Sequence, residues 1–197
     1  MMIRPLPLVN TALYGRPMPD QFSATDWVDH GLKALATSGF TALKADPLAK
    51  VLGVSRGSFY WHFRDVDAFR AAVLARWREI ATERIIADLE ALADDAAAVP
   101  YLLRRAFRAR SNLEVAVRSW ATHDPGARKA VRAIDQRRVS YIAGLLKRSG
   151  APAQTARARA QILYWAFLGF VLSDKPLPRK EQDRIIEELI RLSSSAA

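Results

Sequence analysis

The chain has 197 residues, half of them hydrophobic and a quarter charged, the balance of a globular protein rather than a disordered one. It contains no cysteine, which excludes disulfide scaffolds, thiolate metal sites and cysteine nucleophiles and suits a reducing compartment. The net charge of +10 invites a polyanionic partner, but residues 101–160 hold 14 basic against 3 acidic side chains and so carry the excess. The longest apolar run, Ile162 to Leu172, falls short of the roughly 18 residues that span a bilayer, and Pro5 and Pro7 interrupt the start where a signal peptide would need an apolar core. A soluble, cytoplasmic chain without membrane contact is expected.

Residues 1–22 hold four of the ten prolines and read as a loose arm. From there the pattern is helical throughout. The first helix runs from about Thr25 to Ser38, with Trp27, Val28, Gly31, Leu32, Leu35 and Ala36 on one face, Ser23 or Thr25 as cap and Gly39 as a left-handed stop. Asp46 and Pro47 open a short second helix as cap and first position, ending by Leu52. Gly53-Val54 turns the chain, and Ser55 caps a third helix that reaches His62. After Asp65 a fourth helix carries Phe69, Val73, Trp77, Ile80, Ile85, Leu89 and Leu92 at helical spacing, which makes it about 40 Å long. Further helices are expected at 97–122 (split near Asn112), 126–148, 152–173 and 179–193, separated by proline- or glycine-bearing breaks. The expected architecture is all-α, with a 23–80 unit and an 81–197 unit.

Residues 47–63 read PLAKVLGVSRGSFYWHF. Ala49, Gly53 and Phe59 fit a helix-turn-helix: a small residue where two helices meet, a glycine for the turn, and an apolar anchor on the second helix. Beyond Ser55 the third helix offers Arg56, Gly57, Ser58, Tyr60, Trp61 and His62, with Arg64 following, an excess of donors and aromatics for a helix that only fills core. Arg56 can read guanine O6 and N7 or meet a phosphate, Ser58 can touch a base edge or a thymine methyl, and Tyr60 and His62 suit phosphate oxygens. The helix start and the bare backbone at Gly57 suit a phosphate as well.

This segment resembles the TetR family of transcriptional regulators. The resemblance runs from Gly39-Phe40 through LAKVLGVSRGSFYWHF to AFRAAVL, ending at Leu74, and includes the Tyr60-x-His62-Phe63 signature. Arg118 to Gly150 is similar to the second domain of one branch of that family. The resemblance implies three N-terminal helices forming the reading unit. A long fourth helix would join them to a C-terminal helical domain that binds a small-molecule effector and dimerises. It implies a repressor that binds palindromic operator DNA. Lys44 stands where the family usually has a phosphate-binding Thr or Ser, and Val66 where a Lys commonly meets the backbone, with Arg64 as a substitute. Lys44 and Lys50 join the third-helix residues as candidate DNA contacts.

In the C-terminal part, Phe107, Trp120, Tyr141 and Tyr164 are candidate lining of an effector pocket. Homodimerisation is expected through helices 152–173 and 179–193. Their proposed faces carry Ala156, Ala160, Leu163, Phe167, Phe170 and Val171 on the former, and Ile185, Ile186, Leu189, Ile190 and Leu192 on the latter, with Ala166 and Gly169 admitting close approach. The basic block, including Arg104, Arg105, Arg108, Arg110, Arg128, Lys129, Arg132, Arg137 and Arg138, suits an anion, DNA or plain solvent. His30 and His123 lack ligand spacing, and neither a nucleophile elbow nor a phosphate loop occurs, so no metal, cofactor or catalysis is expected. The competing classes are an all-α enzyme, carrier or adaptor that keeps the fold without reading DNA.

Overall fold

The computed structural model describes residues 22–92, 94–108, 111–175 and 177–194. The expected arm, except for Phe22, and Arg110 lie outside them. The described residues form helices α1 (Ala24–Ser38), α2 (Ala45–Leu52), α3 (Arg56–His62), α4 (Val66–Arg78), α5 (Arg84–Glu90), α6 (Asp95–Ala106), α7 (Asn112–Ala121), α8 (Pro125–Arg148), α9 (Ala153–Leu172) and α10 (Arg179–Ser194). No strand occurs among them, and no helix among them is long and apolar enough to cross a membrane.

Local chemistry explains most helix ends. Ser23 and Asp26 exchange hydrogen bonds in a capping box at α1. Ser55, Asp65, Ser111 and Asp124 each accept a backbone N–H at the start of α3, α4, α7 and α8. Gly53 adopts the left-handed conformation (φ 68°, ψ 25°) that the turn between α2 and α3 requires, and the N–H of Val54 closes the α2 end on the carbonyl of Ala49. Gly31 answers a different need: a Cβ there would lie 2.6 Å from the Phe69 ring, so only glycine lets α1 and α4 approach this closely.

Three expectations need correction. The second helix opens two residues earlier than the Asp46-Pro47 signature suggests: Lys44 occupies the cap position without a side-chain bond, and Asp46 is free to pair with Arg56 at 3.3 Å. Gly39 has a positive φ of 75° but an extended ψ of −177°, a sharp exit rather than a left-handed helical cap. The single fourth helix is interrupted: residues Glu79–Glu83 form a π-helical turn between α4 and α5.

Two hydrophobic cores fill the molecule. The first gathers Trp27, Leu35, Leu43, Leu48, Phe59, Phe69, Val73 and Trp77 from the N-terminal helices, and also Val117, Trp120, Ala127 and Ile134 from α7 and the front half of α8. The second packs α5, α6, the rear half of α8, α9 and α10 around Leu103, Phe107, Leu145, Leu146, Ala160 and Leu163. The first core therefore crosses the expected boundary at residue 80, with α1 lying on α7.

The expected dimer faces are also corrected. Ala156, Ala160, Leu163, Val171 and Ile186 are buried within their own chain, and Phe167, Phe170, Leu189 and Ile190 pack against the same core. The apolar residues that α9 and α10 leave outside are Ile162 (58% exposed), Trp165 (63%), Leu172, Ile185 and Leu192. Because α9 is apolar nearly all round, periodicity marks two stripes and only packing tells them apart.

Candidate nucleic-acid interface and enclosed cavity

Phe59 anchors α3. Its ring is sealed in the first core with its edge against Trp27 at 5.4 Å and against Phe69 at 5.2 Å, and Phe63 is buried beside it. With one face held inward, the other is turned to solvent. Trp61 is 88% exposed and Tyr60 43%, while Ser55, Arg56, Gly57, His62 and Arg64 are also exposed. Ser58 is half-buried, and Lys44 and Lys50 stand exposed on the neighbouring α2 segment.

Arg56 is held rather than loose. Its guanidinium donates to the Tyr60 hydroxyl at 3.3 Å, lies 5.6 Å from the centre of that ring, and pairs with Asp46 across the turn. The Tyr60 hydrogen bond and then the Asp46 charge push the guanidinium above its ordinary pKa. Arg64 pairs at 2.8 Å with Asp65, whose other oxygen caps α4. Val66 is half-buried against the core and offers no charge at that corner, and the exposed Arg64 stands two residues before it. Asp46 and the exposed Val51 were not among the sequence candidates. The sequence marks Asp46 as a helix cap, and nothing in it singles out Val51.

The comparisons can be set against this geometry. Residues 28–73 match the model for bacterial regulatory proteins of the tetR family. The reading unit is a tetR-family domain. Solved structures extend the tetR likeness to the fold of the whole chain. Escherichia coli NemR in its reduced form aligns with a TM-score of 0.70 at 19% identity, over 86% of this chain and 94% of that one. A Saccharomonospora viridis transcriptional regulator in complex with choline gives 0.68 at 15%, over 85% and 95%. AibR in complex with isovaleryl coenzyme A and operator DNA gives 0.64 at 12%, over 86% and 96%. A search of curated proteins gives no match. The tetR-type fold thus accounts for both the N-terminal unit and the helical remainder.

Within that remainder the second core lines a cavity of about 120 Å³. Ile86 and Leu89 of α5, Val99 and Leu103 of α6, Ile142 of α8 and Leu163 of α9 make its walls apolar. Phe107, Tyr141 and Tyr164 also border it. Trp120 does not: it belongs to the first core, stacked on Phe40 at 6.0 Å, its indole N–H buried without a hydrogen-bond partner. As an aromatic of the C-terminal part it was expected with the others, but α7 packs on α1 and so places it in the first core.

One wall is polar. Glu114, only 2% exposed, receives Arg138 through both oxygens at 3.0 and 3.1 Å and Arg118 at 2.9 Å. Arg138 also donates to the Thr82 hydroxyl and the Ala81 carbonyl in the π turn, and lies between the rings of Trp77 and Phe167. Arg118 bridges to Asp135 at 2.6 Å and to the Tyr164 hydroxyl, which itself donates to Asp135. Burial would lower the guanidinium pKa of both arginines, but their acidic partners and Tyr164 outweigh it and hold them above the usual value. Burial pushes the Tyr164 phenol upward. The sequence signal for this network was a lone acid in a basic stretch, Glu114, four residues before Arg118.

The remaining basic block divides among small tasks. Arg128 donates to the last carbonyls of α7, Arg104 pairs with Glu187, Arg105 with Asp88 and Arg137 with Glu83. His30 meets the Asp26 carbonyl and His123 the Thr122 hydroxyl. Among the described residues no group of three His, Cys, Asp or Glu side chains could hold a metal ion.

Proposed function

We propose that the chain is a sequence-specific, DNA-binding transcriptional repressor of the cytoplasm whose operator affinity is set by a small molecule. The observation that carries this reading is the outward face of α3 on a tetR-family unit, with Arg56, Tyr60 and Trp61 exposed while Phe59 is sealed. Residues 23–80 act as the reading unit and 81–197 as the effector and dimerisation unit. Arg56 reads a base edge, Ser58 approaches the groove floor, and Lys44, Lys50, Ser55, Gly57, Tyr60, Trp61, His62 and Arg64 meet the backbone or the groove wall.

Two copies associate through the outer stripe of α9 and α10, where Ile162, Trp165 and Leu172 stand exposed. Twofold symmetry then requires half-sites about 34–36 Å apart, or a multiple, for both copies of α3 to enter successive major grooves. The cavity is the effector site, bordered by Phe107, Tyr141 and Tyr164. The AibR complex holds a ligand and operator DNA together, and the Saccharomonospora viridis regulator holds choline, which supports a two-site reading. A ligand that favours one spacing of the reading units lowers DNA affinity by that preference, and DNA lowers ligand affinity equally.

The test is electrophoretic mobility of the full chain on the DNA upstream of its own gene, with salt titrated. Retention selective for that DNA at physiological salt supports the repressor. Equal retention on all DNA that disappears with salt leaves only bulk charge and favours an adaptor or carrier instead.

A further inference from the structure

From the wall chemistry of the apolar cavity in the second core, we infer that its ligand is a neutral, mostly apolar molecule of about six to nine non-hydrogen atoms, neither an anion nor a cation. The inference rests on the effector reading of that cavity and narrows it to a chemical class.

Size comes from the volume. A cavity of about 120 Å³ walled by Leu, Ile, Val and Phe side chains is comparable to the roughly 150 Å³ apolar cavity that accepts benzene. A single ring or a short branched chain fills it.

Charge comes from Arg138, the guanidinium in the wall. A lone arginine in an apolar chamber would call for a carboxylate, but this one is already satisfied. It makes four hydrogen bonds, two of them to both oxygens of Glu114, and its faces are covered by Trp77 and Phe167. The network balances Arg118 and Arg138 against Glu114 and Asp135, so an entering anion would have to displace a buried carboxylate that has no solvent to turn to. A cation fares no better. The aromatic rings that might cage it include Phe167, over which Arg138 already sits at 5.7 Å, and no carboxylate lines the chamber. Tyr164 spends its hydroxyl on Asp135 and Arg118. Polar capacity toward a ligand is confined to wall hydroxyls: Tyr141, which reaches the Ile86 carbonyl at a long 3.5 Å, and Thr82, which accepts from Arg138. A polar ligand atom is therefore allowed beside them.

Isothermal titration of the full chain with three probes tests this: nitrobenzene as the neutral ligand, benzoate as its anionic isostere, and choline as the cation. Nitrobenzene is expected to bind at least tenfold more tightly than either ion. Two cavity-filling variants, Val99→Phe and the milder Ala106→Leu, are expected to weaken nitrobenzene at least tenfold while keeping the circular dichroism of the parent. Benzoate or choline binding as tightly as nitrobenzene overturns the inference. So does binding of no probe, or nitrobenzene binding that neither variant weakens. Mobility shift with each probe separates the two readings. Nitrobenzene that binds in the cavity without altering DNA retention leaves the ligand class standing and removes the control mechanism. Benzoate or choline that binds there and releases DNA does the reverse.

Discussion

Arg56 is poised by its neighbours before any DNA arrives, with Tyr60 beneath its guanidinium and Asp46 beside it. If it reads a base, Arg56→Ala should weaken operator binding by about 1–3 kcal/mol and relax specificity at one position. Equal weakening on operator and random DNA would reassign it to phosphate. Tyr60→Phe keeps the ring but removes the hydroxyl that Arg56 uses. Weaker operator binding with an unchanged melting temperature is expected, and a large drop in melting temperature would show that the side chain carries core packing. Glu114 tells a different story at the same scale. It serves two buried guanidinia, so Glu114→Ala should cost about 3–5 kcal/mol in urea unfolding, and a loss under 1 kcal/mol would show that the arginines find other partners. The outward residues of α3 were legible because an anchor pattern, Phe59 and Phe63, tells which side is inward. Trp120 was not, since nothing local in its sequence says which of two cores takes it.

Helix boundaries were legible where a side chain makes the cap, as at Ser55 and Asp65, and misplaced where none does, as at Lys44. The π turn at Glu79–Glu83 was hidden because the apolar residues on either side keep a helical period; it became visible only through what it presents, the Ala81 carbonyl and the Thr82 hydroxyl turned to Arg138. Caps also give α1 and α4 an acid sensitivity. The Ser23 hydroxyl and backbone hold Asp26 below the usual carboxylate pKa, and the Ala68 N–H with Arg64 does the same for Asp65. A depressed native pKa contributes stability that is fully present above the ordinary value of 3.8 and is lost as pH falls through the lower native one. Urea midpoints should therefore fall between pH 5 and pH 3, and fall less in Asp65→Asn, which can still cap but cannot titrate. Identical falls in both proteins would remove Asp65 as a contributor.

Across the whole molecule, the all-α architecture was legible from proline and glycine breaks, whereas the division into two cores was not, because it depends on α7 folding back upon α1. The same limit explains α9: both of its stripes are apolar, and the one expected to face a partner is buried in its own chain. Trp165→Glu should turn a dimer into a monomer in sedimentation, with operator affinity reduced at least tenfold and the helical signal intact. A variant that still sediments as a dimer would place the interface elsewhere.

The stacking of Phe40 on Trp120 has a practical corollary for anyone who would graft this molecule onto another. A transplant ending at residue 80 would carry Phe40 without the tryptophan it stacks on and expose an oily seam that α7 and the beginning of α8 normally close. A chimera that trades operator preference between relatives has to move residues 112–134 along with the first eighty, as two pieces of a single keystone.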